Sequence, residues 1–179
     1  MSELIIQRSL PDTAFEPVGD GWTVEGRAVP YGVTQEVSDG DGSYFERFRP
    51  GAFSRDVQKG GLWVNLMVGH SGDDGDRFIG RCVNLSEAHD GLYAAFRLNR
   101  SHPRAEEARA GDLRGWSVSA RVYSSRKIGN LVEREQCGLC HVAATRTPQY
   151  AGAGVLVARE HEMRTEGTPR LDEWRKRYA

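Results

Sequence analysis

The sequence predicts one compact domain that is mainly β with a few short helices, a β-barrel or sandwich-like body with helical decoration. Three observations predict it. Extended runs of four to eight residues recur along the chain, many of them alternating, and most are bounded by Gly, Asp, Asn or Ser. Only three segments carry helix patterning with start or stop signals. At 179 residues the chain has the length of one ordinary domain, enough to bury a core without disulfides or metals.

Residues 1–20 mix Pro, Gly, Asp and Ser with little periodicity, so they read as an N-terminal arm, free to be flexible, leading into the first strand. The body is expected over 21–160. Its strands are Trp22–Val29, Leu62–Val68, Phe78–Leu85, Leu92–Leu98, Trp116–Tyr123, Asn130–Glu135, Leu139–Thr145 and Val155–Ala158. Helices are expected at Pro50–Lys59, at Pro103–Ala110 behind a Ser101 cap, and at Leu171–Tyr178. Residues 161–179 form a charged C-terminal tail: signs alternate from Arg159 to Glu166 and the chain ends Trp-Arg-Lys-Arg-Tyr-Ala, the pattern of a solvated helix. No internal repeat is present.

Composition narrows the function. Twenty-four basic residues against 25 acidic ones leave a formal charge of -1, so no global field points to nucleic acid or an acidic membrane. No apolar stretch approaches the ~20 residues of a spanning helix, which leads to the expectation of a soluble, cytosolic protein without membrane contact. The cysteines Cys82, Cys137 and Cys140 are odd in number, and two lie too close to close a useful loop. Free thiols in a reducing compartment are the simpler account.

The residues that could carry chemistry start with Ser117. In Arg-Gly-Trp-Ser-Val-Ser-Ala-Arg-Val-Tyr, alternation puts Trp116, Val118, Ala120 and Val122 on one strand face and Ser117, Ser119 and Arg121 on the other. A serine hydroxyl becomes a useful nucleophile only when a base within hydrogen-bond reach takes its proton. Of five histidines, His70 closes the apolar strand Leu62–Val68 and precedes the turn Ser-Gly-Asp-Asp-Gly-Asp, rigid on one side and open on the other. His141 lies among small apolar residues in Leu-Cys-His-Val-Ala-Ala-Thr, where packing could hold a second imidazole. His89 and His102 sit beside turn or helix-start signals and His161 in the charged tail, so these three read as surface residues. By spacing alone, His70 and His141 are better explained as partly buried histidines satisfied by backbone carbonyls, and Ser117, more strongly still, as an ordinary exposed strand serine.

A resemblance gives these residues a role. The ordered segments Val24-Glu-Gly-Arg-Ala-Val-Pro-Tyr-Gly, Phe48-Arg-Pro-Gly-Ala-Phe, Met67-Val-Gly-His, Ile79-Gly-Arg, Gly91-Leu-Tyr and Arg114-Gly-Trp-Ser-Val-Ser resemble the prohead proteases of HK97-like phages and, more distantly, the herpesvirus assembly proteases. The resemblance implies their compact β-barrel, with His70 as base and Ser117 as nucleophile. Leu139-Cys-His-Val-Ala-Ala-Thr-Arg-Thr-Pro looks like the family's later motif, in which a strand carrying an acidic residue runs into a proline. His141 occupies the acidic position, a departure from the phage pattern that matches the Ser-His-His triad of the herpesvirus enzymes.

The implied activity is a serine endopeptidase that matures capsids, without cofactor or metal. Ser117 Oγ attacks the scissile carbonyl, His70 accepts its proton and returns it to the leaving amine, and His141 fixes the tautomer of His70. Backbone N–H groups, or Arg121 or Arg146 acting through water, would steady the oxyanion. Ser119 is the alternative nucleophile, on the same face only about 7 Å along the strand. By analogy the substrates are the scaffolding region of the major capsid protein and the protease's own termini, the place is the immature capsid in the bacterial cytoplasm, and homo-oligomerisation is compatible with relatives that dimerise.

Three rival readings accompany this one. Cys137-Gly-Leu-Cys-His141 matches the haem-attachment string, but it sits among strand-like residues with no signal peptide before it. Cys137, Cys140 and His141 could supply three zinc ligands, with Cys82 the fourth if the fold brings it near. A catalytically silent capsid-assembly protein could keep the protease fold and work by binding coat protein, because fold is more widely shared than activity.

Overall fold

The computed structural model describes residues 4–9, 15–39, 42–69, 78–113 and 115–146. His70 and His161, the strand expected at Val155–Ala158, the helix expected at Leu171–Tyr178 and the whole tail 161–179 lie outside them. Among the described residues no helix is long and apolar enough to cross a membrane.

Among the described residues ten strands make one sheet: β1 (Leu4–Ser9), β2 (Phe15–Val18), β3 (Thr23–Pro30), β4 (Gln35–Asp39), β5 (Gly42–Phe48), β6 (Asn65–Val68), β7 (Phe78–Ala88), β8 (Gly91–Leu98), β9 (Gly115–Ile128) and β10 (Leu131–Thr145). Their order is β1-β9-β10-β6-β7-β8-β3-β2, with β5 also on β10 and β4 on β5. β1 and β2 end that path without pairing to each other, so the sheet curls into a half-barrel. The mainly β architecture matches the expectation.

The core lies on one face of the curl. Val24, Phe48, Phe53, Leu66, Ile79, Leu92, Phe96, Leu113, Trp116 and Val118 are buried there, and Phe96 meets Trp116 edge to face with ring centroids 5.4 Å apart. β8 is buried on both faces along most of its length, as its Leu-Tyr-Ala-Ala-Phe run requires of a central strand.

The short motifs turn out to be joints of this scaffold. Tyr31 of the Val-Pro-Tyr-Gly run donates its hydroxyl to Glu87, which also accepts the Phe53 N–H at 3.1 Å and the Ser54 hydroxyl at 2.8 Å, tying β3, β7 and the Pro-Gly-Ala-Phe turn together. Gly32 N–H donates to Phe48 O at 2.8 Å. At Gly80 a Cβ would stand 2.8 Å from the Arg97 carbonyl oxygen, a close approach of β7 to β8 that only glycine permits.

Several elements differ from the sequence expectation. The N-terminal arm 1–20 contributes β1 and β2: Ile6 and Arg8 both turn inward, and an arginine at a core-facing position masks the alternation. The hairpin β4–β5 was not expected, since its strands are largely polar and half-exposed. The helix expected at Pro50–Lys59 shrinks to α1 (Ser54–Gln58) behind a run of turns, and the helix expected at Pro103–Ala110 to α2 (Ala105–Ala110). Ser101 does not cap α2; the N-cap is Arg104, without a side-chain bond, and the helix stops at Gly111 in the left-handed region, φ 84°. The two strands expected at Asn130–Glu135 and Leu139–Thr145 are one continuous β10.

Candidate active site

Ser117, Ser119 and His141 share one sheet face because β9 and β10 are neighbours. β9 is straight and regular from Ser117 to Arg121, so Trp116, Val118 and Ala120 enter the core while Ser117, Ser119 and Arg121 take the opposite face. Both serines are nonetheless buried, at 2% and 3% exposure.

β10 reaches that face through a bulge. Leu139 pairs with Ala120 and His141 with Ser119, leaving Cys140 unmatched in the ladder. Without the extra residue, positions 139 and 141 would share a face; with it, Leu139 stays in the core and His141 turns to the serine side. Ser117 lies opposite Ala143, so His141 faces Ser119 directly and Ser117 diagonally. On its other edge His141 pairs with Asn65 of β6, and Ala143 with Met67. The half-buried Asn65 and the buried Met67 therefore floor the same face; nothing in the sequence singled out Asn65, and Met67 stood out only as the start of the Met67-Val-Gly-His segment.

β6 delivers the chain toward Ser117's end of this face. Val68 pairs with Ala144, Gly69 N–H donates to Ala144 O at 3.4 Å, and Gly69 then turns out of the strand with φ 71°. His70, the next residue, lies outside the described part of the chain.

A second set of contacts holds the β10 edge between its two parallel partners. β5 pairs with Leu131–Arg134 and β6 with His141–Ala144; in the gap stands the α1 segment. Cys137 N–H donates to Ala52 O at 2.8 Å, and Leu139 N–H donates to Asp56 Oδ2 at 2.6 Å. Asp56 is buried, and loss of water raises its carboxyl pKa despite that hydrogen bond.

The remaining candidates are spread out. Arg121 is half-buried on the serine face, paired with Gly138 across the ladder. Arg146 stands past the end of β10, exposed and ion-paired with Glu107 at 3.1 Å. His89 is exposed in the β7–β8 turn, and His102 accepts the Arg104 N–H at its own helix start. Cys137 is buried in the core with its thiol pushed up to about 12 by desolvation, and Cys82, pushed to about 11, donates to Asn84 O. Among the described residues no three His, Cys, Asp or Glu side chains group as metal ligands.

No family model matches the chain, and no curated protein sequence does. Among solved structures the fold is similar to that of the capsid assembly protease gp21 of bacteriophage T4, with a TM-score of 0.51 and 12% identity. The match covers 81% of this chain and 99% of that one. At that identity the likeness is one of fold: a curled, mainly β sheet arranged as in a phage capsid assembly protease.

Proposed function

We propose that this chain is a phage capsid-maturation serine endopeptidase in which Ser117 is the nucleophile, His70 the base and His141 the residue that orients the base. The supporting observation is the register of β9, β10 and β6, which gathers a serine, a histidine and the strand leading to a second histidine on one sheet face. The gp21 likeness agrees with it, as does a motif order that resembles the HK97-like prohead proteases.

The rows across the sheet favour Ser117 over Ser119. Met67, Ala143 and Ser117 form one row and Asn65, His141 and Ser119 the next, so a residue following Gly69 starts nearer to Ser117. A diagonal placement of His141 suits a third member, whose partner is the base and not the serine. Arg121 is the better oxyanion candidate because it stands on the same strand face as Ser117 and Ser119, whereas Arg146 lies past the end of β10. A neutral imidazole in the third position stabilises the developing charge less than a carboxylate, so turnover is slow, which a substrate concentrated inside a closed shell tolerates.

The burial of Ser117 favours a second reading, a silent assembly protein that binds coat protein without cutting it. One experiment separates the two. A fluorophosphonate probe reacts with an activated serine whatever the cleavage sequence, and trypsin releases Ser117 and Ser119 together in Gly115–Arg121, where fragmentation distinguishes them. Labelling at Ser117, with cleavage of a coat-protein precursor that Ser117→Ala abolishes and Ser119→Ala keeps, supports the peptidase. Binding of the precursor with neither labelling nor cleavage sinks it.

A further inference from the structure

We propose that Asp56 is a positioning residue for this site: by accepting the Leu139 N–H it holds the Cys140 bulge in the register that presents His141 to the serine face. The inference rests on the peptidase reading for its functional meaning, but its physical content concerns β10 alone.

The outer edge of β10 carries a mismatch. β10 runs beside two different parallel strands on one edge, and the amides between them need acceptors that neither strand supplies. Cys137 finds a backbone carbonyl, Ala52 O. Leu139 finds a side chain, Asp56 Oδ2, so a carboxylate substitutes for the missing strand at the residue immediately before the slip. A bulge is a local choice between registers, and one residue of slippage moves a side chain to the other face. Here the alternative puts Cys140 and the apolar Val142 outward and His141 into the core beside Leu139, Ala120 and Val118.

Asp56 is itself well anchored. Its N–H donates to Phe53 O at 2.9 Å and its carbonyl accepts the Gly61 N–H at 3.1 Å, while Phe53 N–H and the Ser54 hydroxyl are held by Glu87. The Pro-Gly-Ala-Phe turn therefore transmits the position of β7 to the bulge. A carboxylate buried at the cost of its hydration is retained here for a hydrogen bond to one backbone amide.

The test compares Asp56→Ala, Asp56→Asn and Asp56→Ala combined with deletion of Cys140. Asparagine keeps an acceptor oxygen, and removing Cys140 removes the bulge while leaving Leu139 inward and His141 outward. Fluorophosphonate labelling of Ser117 should fall at least tenfold in Asp56→Ala as a loss of limiting rate with unchanged half-saturation, stay within about threefold of wild type in Asp56→Asn, and recover when Cys140 is deleted.

Two measurements do not need activity. The Leu139 amide should exchange slowly in the wild type, and the His141 imidazole resonance should shift in Asp56→Ala and return in the double variant. Should Asp56→Ala not fold, Asp56→Asn and wild-type exchange still decide. A fast-exchanging Leu139 amide, a folded Asp56→Asn that loses labelling, or an unmoved His141 resonance in folded Asp56→Ala overturns the proposal. If the wild type never labels while the resonance moves as expected, the peptidase reading fails and the positioning role stands.

Discussion

The sharpest stability prediction concerns Glu46, whose side chain has no exposure at all. Arg8 Nε donates to Oε2 at 2.6 Å and Arg134 Nε to Oε1 at 2.6 Å, and both guanidiniums also reach the Tyr44 hydroxyl, at 2.9 and 3.2 Å. One buried anion thus serves two nearly buried cations from β1 and β10. The two sides of this triad are not equivalent. Glu46→Gln strands two cations side by side with no anion, a loss of about 3–5 kcal/mol. Arg8→Met leaves a neutral Glu46–Arg134 pair, and the lost charge-assisted bonds, partly offset by packing of the methionine stem, amount to about 1–2 kcal/mol. Equilibrium urea unfolding reads both: at a slope of about 2 kcal/mol/M, Glu46→Gln lowers the midpoint by about 2 M and Arg8→Met by less than about 1 M. Adding Arg8→Met to Glu46→Gln should recover stability, because one stranded cation leaves. A Glu46→Gln protein within about 1 kcal/mol of wild type, or an Arg8→Met cost equal to it, refutes the triad as the latch of β1.

Gly80→Ala and Gly91→Ala push a Cβ to within 2.8 and 2.6 Å of rigid backbone oxygens, whereas Gly138→Ala meets the far end of the exposed Tyr123 side chain; the first two should cost about 1–3 kcal/mol and the third less than about 1 by thermal unfolding. The Arg126 and Arg47 guanidiniums hold the Glu133 carboxyl below its ordinary value of 4.5, so its stabilisation is present above that value and fades as pH falls through the folded one. Glu133→Gln should therefore flatten the acid side of the stability profile measured by denaturant midpoint, and an unchanged acid limb contradicts the assignment. In the native protein a thiol reagent should modify Cys140 first, with Cys82 and Cys137 reacting only on unfolding, since burial raises both thiols to about 11 and about 12; early modification of Cys137 would place it outside the core.

What the sequence made legible and what it hid divide along physical lines. The alternation around Ser117 is regular, so Trp116, Val118 and Ala120 could be assigned to the core face and Ser117 and Ser119 to the other; the structure keeps that division, but both serines are buried. β1 was hidden because its second inward residue is Arg8, whose counter-charge Glu46 lies 38 residues away. The bulge at Cys140 was hidden because a bulge leaves no periodic trace in a strand of small residues; without it, reading Leu139–Thr145 as a plain strand puts His141 on the core face. Asp56 looked like an ordinary helix residue, since a carboxylate replacing a strand's carbonyl can be recognised only once the gap between β5 and β6 is seen.

β10 is where these constraints meet, and its topology explains why the bulge is needed. The strand must satisfy β9 along its whole length on one edge while serving β5, the α1 segment and β6 in turn on the other. Three partners fixed by different parts of the chain do not share one register, so the mismatch is absorbed within β10: shifts occur around Gln136, where β5 gives way, and at Cys140, where β6 begins. The first is pinned by the Arg134–Glu46 pair and the Arg49 N–H on Arg134 O, the second by Asp56 on Leu139. Between them the strand has no freedom to choose a face for His141. If His141 orients a base, as proposed, it must itself be oriented, and here the supports are a buried ion triad at one end and a single carboxylate at the other.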